Sequence, residues 1–468
     1  MADTKAREVD VLVIGGGIAG LATAWTLRQR SPTLNVRLIE SSGRAGGAAT
    51  SMQVEGFTFD RGANGFLTNV ESTLQLARDL GLGSEVVEAT TASNSRYIYR
   101  GGCLHPVPMS PAAMFRSPLL RRRDVLRLFA EPLVPRRADA TEESVYDFVA
   151  RRFGAGVARA FAPAFVTGIV SGDASRISVG ALFARLPAME AEHGSIMGAM
   201  MVGGRRKAAA RKAGQDVPSG RLCSFRSGGL GRVTDELIRQ LPDTIEYNCA
   251  ATSVRQNARN RRNRWEVDTT TGKFRARALV LAVPPAVAGR LLQPVDVQLS
   301  QELSAIRAAD IRVIGLAWKK APTEGHPMDG FGFLVPRGQG VRMLGSLWSS
   351  TVFPMQAPAG GAHMRLMYGG TFDPDIMAMS TDQLLELARH ELQTTMGIRT
   401  APDVVVDVPW PRTVPQYELG HLARLQRIDD RLAEAPRLLL TGNAYRGVGL
   451  NDCVADATRL AGRIVQEW

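Results

Sequence analysis

The first forty residues leave this chain few ways to fold. Asp10-Val-Leu-Val-Ile14 reads as a buried β-strand, Gly15-Gly16-Gly17-Ile18-Ala19-Gly20 follows at once, and a helical pattern runs from Ile18 to Arg28. A second strand pattern spans Asn35–Glu40. Strand, helix and strand in that spacing form a βαβ unit, which implies a parallel sheet. Gly15 permits the tight turn, Gly17 lets a pyrophosphate approach the backbone, and Gly20 lets helix and strand pack closely. Gly16, Ile18 and Ala19 complete the loop, where the helix N-terminus offers N–H donors and partial positive charge. Glu40 ends the second strand, twenty residues after Gly20. An acid there accepts both ribose hydroxyls and disfavours a 2′-phosphate, so FAD or NAD is expected and NADP is not.

The continuation favours the longer cofactor. Ser41-Ser42-Gly43-Arg44-Ala45-Gly46-Gly47 puts an arginine and two glycines directly after the acid. Ser41 stands beside the ribose acid, Arg44 can neutralise a phosphate, and Gly46 and Gly47 permit close backbone passage. Asp60-Arg61-Gly62-Ala63-Asn64-Gly65 reads as another close-approach loop, able to run beside a flavin. At the far end, Leu438–Leu440, then Gly442 to Gly449, then a helix from about Asn451 repeat the order strand, glycine loop, helix. Two such ends suit the two ends of FAD. The second helix N-terminus is placed to stabilise negative charge on a reduced ring. The fold expected is therefore α/β plus α, with a Rossmann-like FAD-binding part.

The 468 residues, 45% of them apolar, suffice for more than one domain. Dinucleotide-type patterns recur at the beginning, middle and end, so the FAD-binding part is expected to be discontinuous. Its segments are 1–95, 222–300 and 408–468, with a substrate-binding part at 301–407 and a mainly helical, basic part at 96–221. Net charge is +12, and residues 96–221 hold 20 basic against 10 acidic residues. Anionic lipid, an acidic small substrate, nucleic acid or a solvated arginine-rich surface each accounts for such an excess. The stretch Gly203–Gly220 is expected to be a mobile loop. Cys103, Cys223, Cys249 and Cys453 form no CxxC pair, and the six histidines have no ligand spacing, so neither disulfide nor metal is expected. Apolar runs are too short to span a membrane, and the first ten residues are unlike a secretory signal. A cytoplasmic compartment is expected.

Taken together the motifs resemble the protoporphyrinogen oxidase family, oxygen-dependent FAD enzymes of haem synthesis, over essentially the whole chain. The glycine loop, Glu40 and Arg44–Gly47 are shared with amine oxidases and carotenoid desaturases. More specific are Ser95-Arg96-Tyr97-Ile98-Tyr99, Thr167-Gly168-Ile169-Val170-Ser171-Gly172-Asp173, Gly330–Pro336, Pro415-Gln416-Tyr417, and Gly442-Asn443-Ala444-Tyr445 through Asp452. The resemblance implies a para-hydroxybenzoate-hydroxylase-like flavin fold with inserted substrate-binding and membrane-docking parts. It implies noncovalent FAD on Gly15, Gly16, Gly17, Ile18, Ala19, Gly20, Glu40, Ser41, Arg44, Gly47, Gly62, Ala63, Asn64, Gly65, Trp410, Val448, Gly449 and Leu450, with Ala251 at the adenine end. Arg96 is implied to pair with a propionate, and Phe331, Gly332, Leu334 and Met367 to line the ring-binding cavity. Arg96 and Gly332 are the residues it places at the reacting centre. Asn64 stands where other members carry arginine, which puts a second propionate contact there in doubt.

The implied reaction takes protoporphyrinogen IX to protoporphyrin IX in three hydride transfers to FAD, with oxygen reoxidising the flavin to give hydrogen peroxide. Such chemistry needs positioning more than a strong base, so the lack of a His/Asp or Cys/His constellation is no obstacle. Coproporphyrinogen III oxidase, with four propionates to satisfy, is one alternative. A flavin amine oxidase, or a tetrapyrrole-binding scaffold without catalysis, is another. Met114–Phe129 mixes large apolar residues with Arg116, Arg121, Arg122, Arg123 and Arg127. A helix from about Leu119, with Leu119, Val125, Leu126 and Phe129 on one side, would lie in an anionic headgroup region. The partners expected are therefore a tetrapyrrole, oxygen, the inner face of the cell membrane and a second copy of the chain, but no nucleic acid.

Overall fold

The computed structural model describes residues 6–137, 139, 141–215, 220–257 and 264–468. At its centre lies the strand Arg7–Ile14, in which Val11, Leu12 and Val13 are wholly buried. A strand apolar on both faces needs layers on both sides, as parallel sheets have. It pairs in parallel with Val36–Ile39 on one edge and Gly272–Leu281 on the other. Ile245–Glu246 extends the sheet beyond Val36–Ile39, and Leu438–Leu440 runs parallel beside Leu279–Leu281. The N-terminal, middle and C-terminal thirds thus build one doubly covered sheet. An antiparallel meander, Ala251–Gln256 and Trp265–Thr269, pairs with the first half of Gly272–Leu281.

Helices Ile18–Arg30, Gly231–Arg239 and Leu450–Gln466 cover one face through Leu21, Val233 and Leu460. Pro285–Leu292, Val297–Ser304 and His421–Ala433 cover the other. The expected Rossmann-like FAD-binding architecture is present.

A second seven-stranded sheet runs in the order Val404–Pro415, Ala308–Trp318, Ala362–Gly369, Gly345–Leu347, Gly332–Leu334, Tyr97–Arg100, Cys103–Pro106. One face packs Ile314, Leu316, Met364 and Leu366 against Leu384, Ala388 and Leu392 of helix Thr381–Met396. Its other face turns Val313, Val406 and Val408 toward Phe57 and Phe59 of the hairpin Ser51–Asp60. Strand pairing shifts two of the expected domain limits. The alternation in Tyr97-Ile98-Tyr99-Arg100 and the Gly101–Gly102 turn make residues 97–106 a hairpin of this sheet, not the start of the helical part. Val404–Pro415 likewise stays with this sheet, so the return to the FAD-binding part comes after Pro415.

Between these lies the helical part. The stretch expected to be a loop at Gly203–Gly220 is largely helix: Ile196–Lys212 is continuous, capped by Ser195, whose Oγ accepts from Gly198 N–H. The Lys207-Ala-Ala-Ala-Arg211 run has helix propensity enough to override Gly203 and Gly204. Residues 216–219 of that stretch lie outside the described ones. The helix expected from Leu119 begins instead at Arg122 and ends at Phe129. Leu119, Leu120 and Val125 are buried in the chain's own core, so they form no lipid-facing side, and Leu126 alone of the expected four is freely exposed, at 63%. Among the described residues no helix is long and apolar enough to cross a membrane.

A buried ion pair braces this part. Glu131 and Arg152 are fully buried and bonded to each other. Glu131 also accepts from Ser195 Oγ at 2.7 Å, Ile196 N–H at 3.0 Å and Met197 N–H at 3.1 Å. Burial alone would raise the Glu131 carboxyl pKa, but these donors together bring it below its ordinary value. Its contribution to stability is then complete above the ordinary carboxylate range and is lost as pH falls through the lowered folded value. Glu131→Ala is expected to cost about 3–5 kcal/mol by removing the bonded carboxylate of Arg152, which keeps only a longer pairing with Glu190 at 3.4 Å. Denaturant titration at neutral pH reads this directly, and the gap to wild type should narrow in acid.

Candidate functional site

The C-terminal edge of the first sheet is built from backbones too close to admit side chains. Gly15 has φ +106°, and a Cβ there would sit 2.4 Å from Ala282 O; at Gly20 it would sit 2.0 Å from Gly15 O. Gly17 differs. It caps helix Ile18–Arg30 without any side-chain hydrogen bond, and a Cβ there meets nothing within 4 Å. Gly46 N–H donates to Gly16 O at 2.7 Å and Gly47 lies against the Gly17 Cα, so Arg44–Gly47 wraps onto the first loop. Gly16 N–H and Ser42 N–H donate to the two oxygens of Glu40, at 2.8 and 2.9 Å, and Ser41 Oγ lies 3.2 Å from the second. The carboxylate is held beside the open strip. Cys249 N–H donates to Glu40 O, which brings Ala251 to this end of the site. Arg44 lies 3.3 Å from Asp235, but both are half exposed and the pair is exchangeable.

A second glycine loop enters from the C-terminus. Gly442 has φ +126° with open space at its Cβ position, and Gly449 caps helix Leu450–Gln466. That helix packs along Ile18–Arg30, which sets the two N-termini side by side. Val448 reaches the helical part's core, and Leu450 packs on the first-sheet core. Two facing helix N-termini, an open glycine strip and a fixed carboxylate are the donor set a dinucleotide with a flavin needs, and these residues fit FAD.

The loop Asp60–Gly65 crosses between the sheets. Gly62 cannot carry a Cβ, which would fall 2.4 Å from Ala48 O; Ala63 N–H bonds that same oxygen, and Gly65 is pressed against Cys223 O. Trp410 Nε1 donates to Arg61 O at 2.8 Å, joining the expected Trp410 and Asn64 positions in one place. Beneath the loop, Asp60 accepts from Ser51 Oγ and Leu230 N–H at one oxygen and from Gln356 Nε2 at the other. Burial raises its pKa against those bonds.

Opposite this loop, register arranges the second sheet's inner face. Leu334, Gly345, Met367, Val313 and Val408 form one cross-strand row; Gly332, Leu347, Arg365 and Gly315 form the next. Residues directly across a sheet share a face, so Leu334 and Met367 stand on either side of Gly345, where a Cβ would fall 2.4 Å from Phe333 O. Gly332 has φ +135° and its Cβ would meet Ser346 O at 2.0 Å, so only glycine fits. Leu334 closes on Gly168 of helix Ala155–Val170. Arg96 is exposed, with its guanidinium 5.1 Å over the Phe331 ring. Phe331 N–H donates to Ser95 O. Five expected residues, Arg96, Phe331, Gly332, Leu334 and Met367, are thus set on neighbouring strands. None of these five lines the apolar cavity of ≈ 380 Å³ in the helical part, although Val107 and Phe161, which do, pack in one cluster with Leu334.

Some contributors stood in sequence motifs without an assigned role. Tyr417 O–H donates to Asn443 O at 2.7 Å and accepts from Gly447 N–H at 3.1 Å, with its ring stacked on His421. Gln416 Nε2 donates to Val170 O. The motifs 167–173, 415–417 and 442–452 therefore meet at one junction. Arg365 and Gln356 carried no motif; a charge inside an apolar strand pattern was the one available sign for Arg365.

A family model described as flavin containing amine oxidoreductase matches residues 18–465. The chloroplastic protoporphyrinogen oxidase of Oryza sativa subsp. japonica is 30% identical over 476 residues, covering 98% of this chain and 88% of the relative. Coproporphyrinogen III oxidase of Propionibacterium freudenreichii subsp. freudenreichii is 29% identical over 497 residues, covering 98% and 91%. A solved structure from Exiguobacterium sp. 255-15 superposes with TM-score 0.85 at 23% identity, covering 99% of this chain and 100% of the other.

Gly17→Leu should fold, since open space surrounds the position, yet purify without the visible flavin absorbance. Gly20→Ala should instead lower the thermal midpoint, because its clash is internal. A yellow Gly17→Leu protein would contradict this placement of the pyrophosphate.

Proposed function

Belonging as it does to the flavin-containing amine oxidoreductase family, and within it to the protoporphyrinogen oxidases, the chain is an FAD oxidoreductase, and we propose that it oxidises protoporphyrinogen IX to protoporphyrin IX. The observation that carries this choice is the apolar row Leu334–Gly345–Met367, with the exposed Arg96 stacked on Phe331 just before Gly332. A large apolar ring with its two propionates on one edge suits a slot with charge at one end. Bound FAD would supply the hydride-accepting chemistry, with three methylene bridges as donors and oxygen as the final acceptor. The chain's own residues orient and enclose. Gly332 and Gly345 let their strands pack closely, Leu334 and Met367 bracket the ring, and Phe331 holds the Arg96 stack. The loops at Gly62–Gly65 and Gly447–Gly449 set where the acceptor lies. Asn64 stands in the first of these loops.

Coproporphyrinogen III is the second reading, favoured by the similar identity of the Propionibacterium relative. Its four propionates need cations around the slot. Each porphyrinogen is added to the enzyme and porphyrin fluorescence followed; a higher kcat/KM for coproporphyrinogen would reverse the choice. Arg96→Ala is expected to raise KM for the preferred substrate about tenfold or more, the loss of about 1.5–3 kcal/mol from one charged hydrogen bond, with FAD content unchanged.

The enzyme is further proposed to work from the inner face of the cell membrane. Leu126, Leu133, Met200 and Met201 are 63%, 84%, 64% and 59% exposed. They lie on adjoining elements, Arg122–Phe129, Glu131–Leu133 and Ile196–Lys212. Arg121–Arg123, Arg205, Arg206 and Lys207 flank them. Apolar residues among arginines are what an anionic interface holds. Flotation with anionic but not neutral vesicles is expected, weakened by salt and by Arg121–Arg123→Glu. No flotation on either would leave the enzyme off the membrane.

A further inference from the structure

Arg365 is a buried cation in an unusual place. It lies on strand Ala362–Gly369, 5% exposed, on the inner face shared with Met367 and Gly332. Burying a guanidinium is unfavourable unless a counter-charge and hydrogen bonds repay it. Among the described residues no carboxylate lies within ion-pair distance of it. Its one hydrogen bond runs from Nη2 to Gly62 O at 2.6 Å, and Nε has no partner.

The surroundings supply only part of what is missing. Asp60 acts on it as a counter-charge from beyond ion-pair distance, its oxygens engaged by Ser51, Leu230 and Gln356 and its pKa raised by burial. His363, two residues back on the same face, is buried with both ring nitrogens unpartnered and is held neutral by burial, with its pKa down at about 3. Gly315, directly across the strand, faces Phe59. A wholly structural tether between Gly62 and this strand requires only a neutral donor. A full charge there is costly, and chains retain such charges where a ligand meets them.

We infer that Arg365 is a positioning residue whose fixed positive charge, set under the Gly62–Asn64 loop, stabilises the negative charge that the bound flavin gains on reduction. This rests on the reading of that loop as the flavin's bed. A buried charge acts strongly because little water screens it. Its cost is borne by the protein before flavin binds.

The test separates charge from tether. Arg365→Gln keeps an N–H for Gly62 O but removes the charge; Arg365→Lys keeps the charge. The midpoint potential of the bound flavin is measured in each holoenzyme against a reference dye, together with the thermal midpoint of the protein stripped of flavin. For Arg365→Gln the reduced-to-oxidised ratio at fixed potential should fall about tenfold, equivalent to ~30 mV for a two-electron couple. Arg365→Lys should stay close to wild type, and the flavin-free Gln variant should be no less stable than flavin-free wild type. An unaltered potential in Arg365→Gln would overturn the inference. Equal loss of flavin from the Gln and Lys variants would also overturn it, assigning Arg365 to the scaffold. Loss from Gln alone supports it, since both variants keep an N–H donor and only Lys keeps the charge. Wild-type protein that purifies colourless would instead refute the flavin reading itself.

Discussion

Everything in this molecule is arranged around a line of backbone with no room for side chains. Gly15 lies against Ala282 O, Gly20 against Gly15 O, and Gly46 bonds Gly16 O. These contacts pin the helix Ile18–Arg30 onto the first sheet and fold the Arg44–Gly47 segment over it. Gly17 alone in this cluster looks onto open space. A rigid floor with one open strip is the condition for holding a dinucleotide in a single pose, because binding then orders little that was mobile.

The second sheet depends on that floor. Its inner face is joined to the first part by few but buried contacts: Gln356 to Asp60, Arg365 to Gly62 O, and Trp410 to Arg61 O. All three converge on residues 60–62. That loop therefore fixes the spacing between the first part and the second sheet's inner face. On the remaining side Tyr417 ties the C-terminal glycine loop to the chain leaving the second sheet, while Gln416 ties that same chain to the end of helix Ala155–Val170. The three parts thus meet at one junction.

The helical part is held differently. Its polar centre, Glu131 and Arg152 with Ser195 and two backbone amides, gives a defined geometry to short helices that bury modest apolar area. Its outer surface keeps Leu133, Met200 and Met201 in solvent beside arginines, while its inner surface closes on Leu334 through Gly168. One small unit thus presents an apolar face to the slot and a mixed face outward.

The sequence determined the parallel sheet, the glycine loops, Glu40 and the two helix starts, because strand periodicity and tight turns are local: Gly15 and Gly20 are glycine for reasons within twenty residues of chain or one neighbouring strand. Propensity in the Lys207–Arg211 run was equally local and was masked only by two nearby glycines. What the tertiary structure decided is whatever crosses from one segment to another. Whether Val125 faces lipid or core, and that residues 97–106 and 404–415 share a sheet, follow from pairing between strands far apart in sequence. The row Leu334–Gly345–Met367 and the buried charge of Arg365 beneath Gly62 are of the same kind. A side chain's neighbours across a sheet are set by register, and register depends on the whole set of strands packing at once.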